Sequence, residues 1–213
     1  MFEIVKAGGI VMVPIIICSV VAVAIILERI WTLRGRRVVP TDLTDKVWQW
    51  IENRTLSDKQ IMALEQHSPL GRILAAGIMN RHRDRTVMME AIEDAGRHVA
   101  HELERYLALL GTIAAISPLL GLLGTVMGMI HTFRAITAVG VGDPTVMAGG
   151  IAEALITTAA GLTIAVPALL AYRLLRGRVD TLVIQMEKEA LRLVQAIDRA
   201  IAIRPFSAED VAA

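Results

Sequence analysis

The chain has 213 residues, of which 54% are hydrophobic and only 4% aromatic, and its formal net charge is +1. So large an apolar fraction exceeds what the core of a soluble domain needs and is typical of an integral membrane protein. The near-neutral charge provides no general basic field, so no nucleic-acid partner is expected. A single cysteine, Cys18, excludes an intramolecular disulfide.

Three apolar stretches are long enough to cross a bilayer, since about 20 helical residues are needed for about 30 Å of hydrocarbon. We predict transmembrane helices at residues 10–33, 107–134 and 146–172. The first has the position of a secretory signal. However, the segment "ERIWTLRGRR" that ends it and continues beyond it contains no small-residue cleavage site, so a retained anchor is the better interpretation.

The arginines predict the orientation of the chain in the membrane. Clusters of arginine follow the first and third spans, whereas the connection between the second and third spans offers only Arg134. The clustered residues are Arg34, Arg36, Arg37, Arg173, Arg176 and Arg178. By the positive-inside rule, residues 1–9 and the loop 135–145 lie outside, and residues 34–106 and 173–213 lie in the cytoplasm.

The polar segments favour helices. Residues 34–106 divide into several helices with short breaks, and capping signals occur at Ser57 and at Ser68 followed by Pro69. The last of these helices is expected to continue into the second span without a turn. The third span is expected to run on as an amphipathic helix. The predicted fold class is therefore an all-α integral membrane protein with three transmembrane helices, the second and third extended into the cytoplasm.

Glu153 lies inside the third predicted span. An ionisable side chain at such a position costs at least about 2.5 kcal/mol unless it meets a partner or an aqueous path. With a rise of about 1.5 Å per residue, Glu153 lies about 6 Å below Gly149. That depth favours a polar mouth or an ion path, and the alternative is a shallow carboxylate that reaches the headgroups.

Threonines occur at matched depth in the second and third spans. Thr125 and Thr158 lie nine residues inside the two ends of the outer loop. Both are therefore expected about 14 Å below the outer surface. Thr157 lies nearly beneath Glu153, whereas Thr158 is about 140° away around the helix, so a wide pore-facing surface is needed for both. The alternative is that each hydroxyl bonds a carbonyl of its own helix.

Small residues recur on the same two spans, at Gly121, Gly124 and Gly128 in the second and at Gly161 in the third. Such spacing lets helix backbones approach closely. The pair Gly124 and Gly128 forms a GxxxG pattern, which is a weak motif because glycine is common in membrane helices. We assign these residues to helix packing.

The sequence offers no enzymatic site. Ser117 and His131 are fourteen residues apart on one helix, which separates them by about 21 Å, too far for a catalytic dyad. His98, His101 and Glu102 have a spacing compatible with a metal site, but a solvated helix face is the better interpretation. We expect no enzyme, no metal and no cofactor, and we place His131 at the mouth of the predicted path.

Three segments carry a resemblance to a known family: "ERIWTLRGRR", "SPLLGLLGTVMGMIHTF" and "GGIAEALITTAAGLTIAVPALLAY". They resemble the MotA/TolQ/ExbB proton-channel family, most closely its ExbB members, and the resemblance covers nearly the whole chain. It implies a homopentamer of three-span subunits in the bacterial inner membrane, with a periplasmic N-terminus. The second and third helices would enclose the dimer of a single-span ExbD-like partner, and a TonB-like protein would carry the energy to outer-membrane transporters.

The resemblance also implies roles for individual residues. Positions matching Glu153, Thr125 and Thr158 line the pore in such proteins, and an aspartate of the ExbD-like helix carries the proton. Thr157 stands where many relatives have alanine. The short segment before the first span leaves a TolQ-like subunit of the Tol-Pal envelope system as the nearest alternative. A membrane scaffold without ion flow is the alternative of another class.

Overall fold

The structure is a computed structural model that describes residues 8–52, 57–139 and 144–203. All regular secondary structure in these ranges is α-helical, as predicted. The helices are α1 (Met12–Thr32), α2 (Gly35–Val38), α3 (Thr41–Glu52), α4 (Asp58–His67), α5 (Pro69–Met79), α6 (Arg85–Glu104), α7 (Leu107–Val139) and α8 (Pro144–Ile203).

Two predicted helix starts are confirmed in the polar region. The Ser68 hydroxyl accepts a hydrogen bond of 3.0 Å from the Gly71 backbone N–H, and Pro69 occupies the first turn of α5. At the start of α4, the Gln60 side-chain carbonyl accepts from the backbone N–H of Ser57 at 3.0 Å. Both contacts satisfy backbone donors that a helix start leaves without intrahelical partners.

The prediction that the helix runs into the second span without a turn is wrong at Tyr106. Arg85–Thr137 spans 53 residues from end to end, but α6 ends at Glu104 and α7 begins at Leu107. Tyr106 lies between them with φ of 64°. The left-handed conformation costs a residue with a side chain about 1–2 kcal/mol.

A contact from the first span offsets part of that cost. The Arg29 guanidinium lies over the Tyr106 ring, 5.4 Å from its centroid, at a distance that gives a cation–π attraction. Arg29 is only 4% exposed and also pairs with Glu28 at 2.6 Å. The interruption was not visible in the local sequence because the residue that stabilises it lies in another helix.

The prediction for the third span is confirmed, because α8 continues without interruption over 60 residues, with Pro167 inside it. Three helical runs are long and apolar enough to cross a membrane, namely Met12–Thr32, Arg85–Thr137 and Met147–Arg199. In their most apolar windows only 22% to 39% of the residues are buried within the chain. Most of each span therefore remains available to lipid or to other subunits.

The chain divides into two compact units, which we describe separately. The first consists of Met1–Arg29 and Tyr106–Leu175, and it contains nearly all of α1, α7 and the first part of α8. The start of α1 forms a hydrophobic cluster in this unit. Val11, Met12 and Ile15 are buried there, with partly buried apolar side chains around them: Leu120, Ile156, Ala160 and Ile164.

The second unit consists of Ile30–Arg105 and Arg176–Ala213. Large apolar side chains of α5 and of the last part of α8 are fully buried in it. They include Leu70, Leu74, Ile78, Leu182, Met186 and Leu193. On its surface, Arg72 of α5 pairs with Glu102 of α6 at 2.8 Å. The predicted outer segments 1–9 and 135–145 lie partly outside the described residues, and the side of the membrane on which each segment lies stays a prediction.

Candidate functional site

The second and third spans approach each other closely where their glycines meet. A Cβ built on Gly128 would lie 2.8 Å from the Gly150 carbonyl oxygen, and one built on Gly161 would lie 2.5 Å from the Ser117 carbonyl oxygen. Because these are backbone atoms, larger side chains would force the helices apart. The structure therefore places the predicted packing glycines at the contact between α7 and α8 of the same chain.

Thr157 occupies the space that Gly124 leaves open. Its side chain is fully buried, and a Cβ built on Gly124 would overlap the Thr157 hydroxyl oxygen. The hydroxyl donates to the carbonyls of Glu153 at 3.1 Å and Ala154 at 3.0 Å, both in its own helix. Within the chain, the Thr157 side chain faces α7. Its predicted place on a proton path stays a prediction.

Thr158 packs beside Gly121, which lies four residues, or about 6 Å of helix rise, from Thr125 on α7, and the predicted common depth of the two threonines stays a prediction. The Thr158 hydroxyl crosses to α7 and donates to the Gly121 carbonyl at 3.1 Å, and the Thr125 hydroxyl donates to the adjacent Leu122 carbonyl at 2.6 Å. Both threonines are half-buried. Thr125 thus follows the alternative weighed from the sequence, in which the hydroxyl bonds a carbonyl of its own helix. Thr158 instead bonds the neighbouring helix, and the sequence did not indicate that contact.

Glu153 is half-buried, and its carboxylate lies against the turn that leads into α1. A Cβ built on Gly9 would overlap Glu153 Oε1 and would lie 2.9 Å from Glu153 Cδ. Sequence reasoning missed this contact. The pair of glycines at residues 8 and 9 was its only local signal, and glycine pairs are equally common in turns that contact no side chain.

His131 is exposed on α7, near the end of the span that carries the predicted mouth. The next residue, Thr132, is buried and donates to the Gly128 carbonyl at 3.0 Å. A Cβ built on Gly150 would overlap the Thr132 hydroxyl oxygen. Thr132 and Gly150 are thus further packing residues that the sequence analysis did not select.

The histidines weighed as metal ligands lie on the surface of α6. Glu102 bonds Arg72, and His98 Nδ1 lies 3.0 Å from the Asp94 carbonyl oxygen. Within residues 8–52, 57–139 and 144–203, the structure shows no group of three or more histidine, cysteine, aspartate or glutamate side chains arranged to hold a metal ion.

These features define a multi-pass helical membrane protein whose second and third spans carry one carboxylate and several hydroxyls. The chain belongs to the MotA/TolQ/ExbB proton channel family, whose model matches residues 65–188. That range includes Thr125, Glu153, Thr157 and Thr158. Because the family consists of channels, the chain is not an enzyme.

Individual relatives match most of the chain. It is 36% identical to biopolymer transport protein ExbB-like 1 of Synechocystis sp. over 79% of this chain and 67% of the relative. It is 33% identical to biopolymer transport protein exbB1 of Vibrio cholerae, over 82% of this chain and 78% of the relative. It is 30% identical to Tol-Pal system protein TolQ of Pseudomonas aeruginosa, over 81% of this chain and 80% of the relative. Relatives of both names are therefore similar to it over comparable lengths.

Proposed function

We propose that the chain is the ExbB-type channel subunit of an inner-membrane motor that uses the proton gradient to energise TonB-dependent transport across the outer membrane. The observation that carries the proposal is the placement of Glu153, Thr158 and Thr125 on two closely packed spans. Glu153 and Thr158 are separated by about 7.5 Å along the helix axis. All three are polar residues on otherwise apolar helices, and because Glu153 and Thr158 lie about 140° apart around α8, a wide pore-facing surface is needed for both.

The hydroxyls of Thr158 and Thr125 are suited to receive a protonated acid. Thr158 and Thr125 each use their proton on a backbone carbonyl, at 3.1 Å and 2.6 Å. Each hydroxyl oxygen therefore keeps lone pairs that can accept a hydrogen bond from a protonated carboxyl. An ionised carboxylate would need the hydroxyl to rotate away from its carbonyl, which costs about 0.5–1.5 kcal/mol per bond. The same pair can thus serve both states of a partner acid.

The proton path needs a second acid from another chain. Glu153 is the only acidic residue between positions 107 and 133 and between 146 and 172. One carboxylate near one surface cannot carry protons across the remaining hydrocarbon, because an unpaired buried charge is too costly there. We assign the second acid to an ExbD-like single-span partner. Its dimer would lie in the centre of a homopentamer whose pore is lined by the second and third spans, with the N-terminus in the periplasm.

A TolQ-like role in the Tol-Pal system is the second candidate, because a TolQ protein is 30% identical over 81% of this chain. Both roles use the same channel chemistry and differ in the protein that receives the energy. The test of the client is complementation. Expression with an ExbD-like partner should restore TonB-dependent uptake in a strain lacking its own subunit, whereas restored envelope integrity in a strain lacking TolQ would favour the second candidate.

Variants of Glu153 test the channel role against a scaffold without ion flow. Glu153→Gln should slow TonB-dependent uptake by about tenfold or more, and Glu153→Asp should retain part of it, with assembly unchanged in both. Glu93→Gln is the matched control, because Glu93 is an exposed acid in the second unit. Normal uptake by an assembled Glu153→Gln complex would contradict the channel role and support the scaffold.

A further inference from the structure

We propose that Gly9 is a positioning residue for the Glu153 carboxylate. Because Gly9 has no side chain, the turn before the first span can close over the carboxylate and hold it in one place. The functional consequence rests on the proposed role of Glu153 in proton transfer. The positional claim rests on the structure of the first unit and can be tested without any transport assay.

Two properties of Gly9 point to this role. Its φ of +64° lies in the left-handed region, which glycine adopts far more readily than residues with a side chain. In addition, a Cβ at this position would overlap Glu153 Oε1 and would lie 2.9 Å from Cδ and 3.7 Å from Cγ. The carboxylate thus fills the volume that any other residue at position 9 would need.

The turn itself is fixed to the rest of the unit. The Gly9 carbonyl accepts from the Met12 N–H at 3.2 Å, which joins the turn directly to α1. Met12 is 6% exposed and Ile15 is 1% exposed, and both belong to a cluster that packs against Ile156 of α8. Ile156 lies one turn beyond Glu153, so the same packing fixes both partners of the contact.

The backbone of Glu153 is held by a second contact, through Thr157. Its backbone carbonyl accepts the Thr157 hydroxyl at 3.1 Å, and Thr157 is fully buried against α7. The backbone of Glu153 is therefore held by the second span and its carboxylate is covered by the turn before the first. We infer that a side chain at position 9 displaces the flexible carboxylate rather than the packed helices.

The test is the rate at which a carbodiimide modifies Glu153 in the full-length protein, measured by mass spectrometry of the modified peptide. Gly9→Ala should raise that rate by about threefold or more, because the displaced carboxylate loses its cover. Gly9→Asn should raise it as much. Asparagine tolerates the left-handed backbone better than alanine but carries the same Cβ. Gly149→Ala is the matched control, since a Cβ there meets nothing within 4 Å.

The outcomes separate the positional claim from the proposed function. The proposal would be overturned if both Gly9 variants were modified at the same rate as the wild type and Gly149→Ala. The absence of modification in all four proteins would overturn it as well. An increase in Gly9→Ala alone would also overturn it, because backbone strain would then be the cause. Faster modification in both variants with normal proton-coupled uptake would support the positioning and contradict the role of Glu153. Rescue of Gly9→Ala uptake by the shorter Glu153→Asp would support both.

Discussion

Gly124→Ala should destabilise the contact between the second and third spans. The added Cβ would lie 2.5 Å from Thr157 Cβ and 2.9 Å from Cγ2, closer than such atoms approach in folded proteins. Thr157 is fully buried and cannot move outward. Overpacking of this kind costs about 1–3 kcal/mol. At about 2–4 °C per kcal/mol for a chain of this length, the melting temperature should fall by about 2–12 °C.

The assay is thermal unfolding of the purified protein in detergent, followed by fluorescence or by loss of the native oligomer. Thr157→Gly should restore stability to Gly124→Ala, whereas Thr157→Ala should restore little, because its Cβ remains at the clashing position. Gly149→Ala is the control, since a Cβ there is unobstructed. If Gly124→Ala and Gly149→Ala melt at the same temperature, the close contact at Gly124 does not exist in the protein.

Three further predictions concern the threonine hydroxyls, the arginine over Tyr106 and the orientation of the chain. Thr158→Val and Thr125→Val should each lower proton-coupled uptake by about tenfold or more without loss of assembly, because an unsolvated charge costs several kcal/mol. Thr163→Val is the control, since Thr163 lies about 7.5 Å along the helix axis from Thr158 and is not one of the residues assigned to the path. Normal uptake by both test variants would show that the hydroxyls are not on the path. Arg29→Met should lower the free energy of unfolding by about 1–2 kcal/mol, because Tyr106 would lose its cation–π partner. Arg34→Met is the control, since it changes an exposed residue and should leave stability unchanged. In a Cys18→Ser background, a membrane-impermeant thiol reagent added outside should modify cysteine at Gly142 and spare cysteine at Gln66, and the reverse pattern would contradict the proposed orientation.

Much of the fold could be predicted because a bilayer leaves the chain few options. Apolar runs of sufficient length must be helical where no water satisfies the backbone. The capping signals at Ser57 and Ser68 have a local chemistry that does not depend on the tertiary structure. The continuous α8 was predictable because the apolar run of the third span leads directly into a segment whose apolar residues keep helical spacing, although Pro167 lies inside the helix.

The remaining features depend on contacts between distant parts of the chain. The break at Tyr106 is stabilised by Arg29 of the first span, and no property of the residues near Tyr106 indicates it. The periodicity of α8 showed that Thr157 and Thr158 point in different directions. It did not show that Thr157 fills the space at Gly124 while Thr158 bonds Gly121. Residue type identified these candidates, and only the packed structure identified their partners.

The most direct test of the channel role is proton flux into liposomes that contain the protein together with an ExbD-like partner, measured with a pH-sensitive dye under an imposed potential. The wild-type complex should conduct protons, and Glu153→Gln should reduce the flux by about tenfold or more, since about 1.4 kcal/mol of added barrier suffices for that factor. The control Glu93→Gln should conduct as the wild type does. A Glu153→Gln complex of normal composition that conducts at the wild-type rate would contradict the proposed proton path.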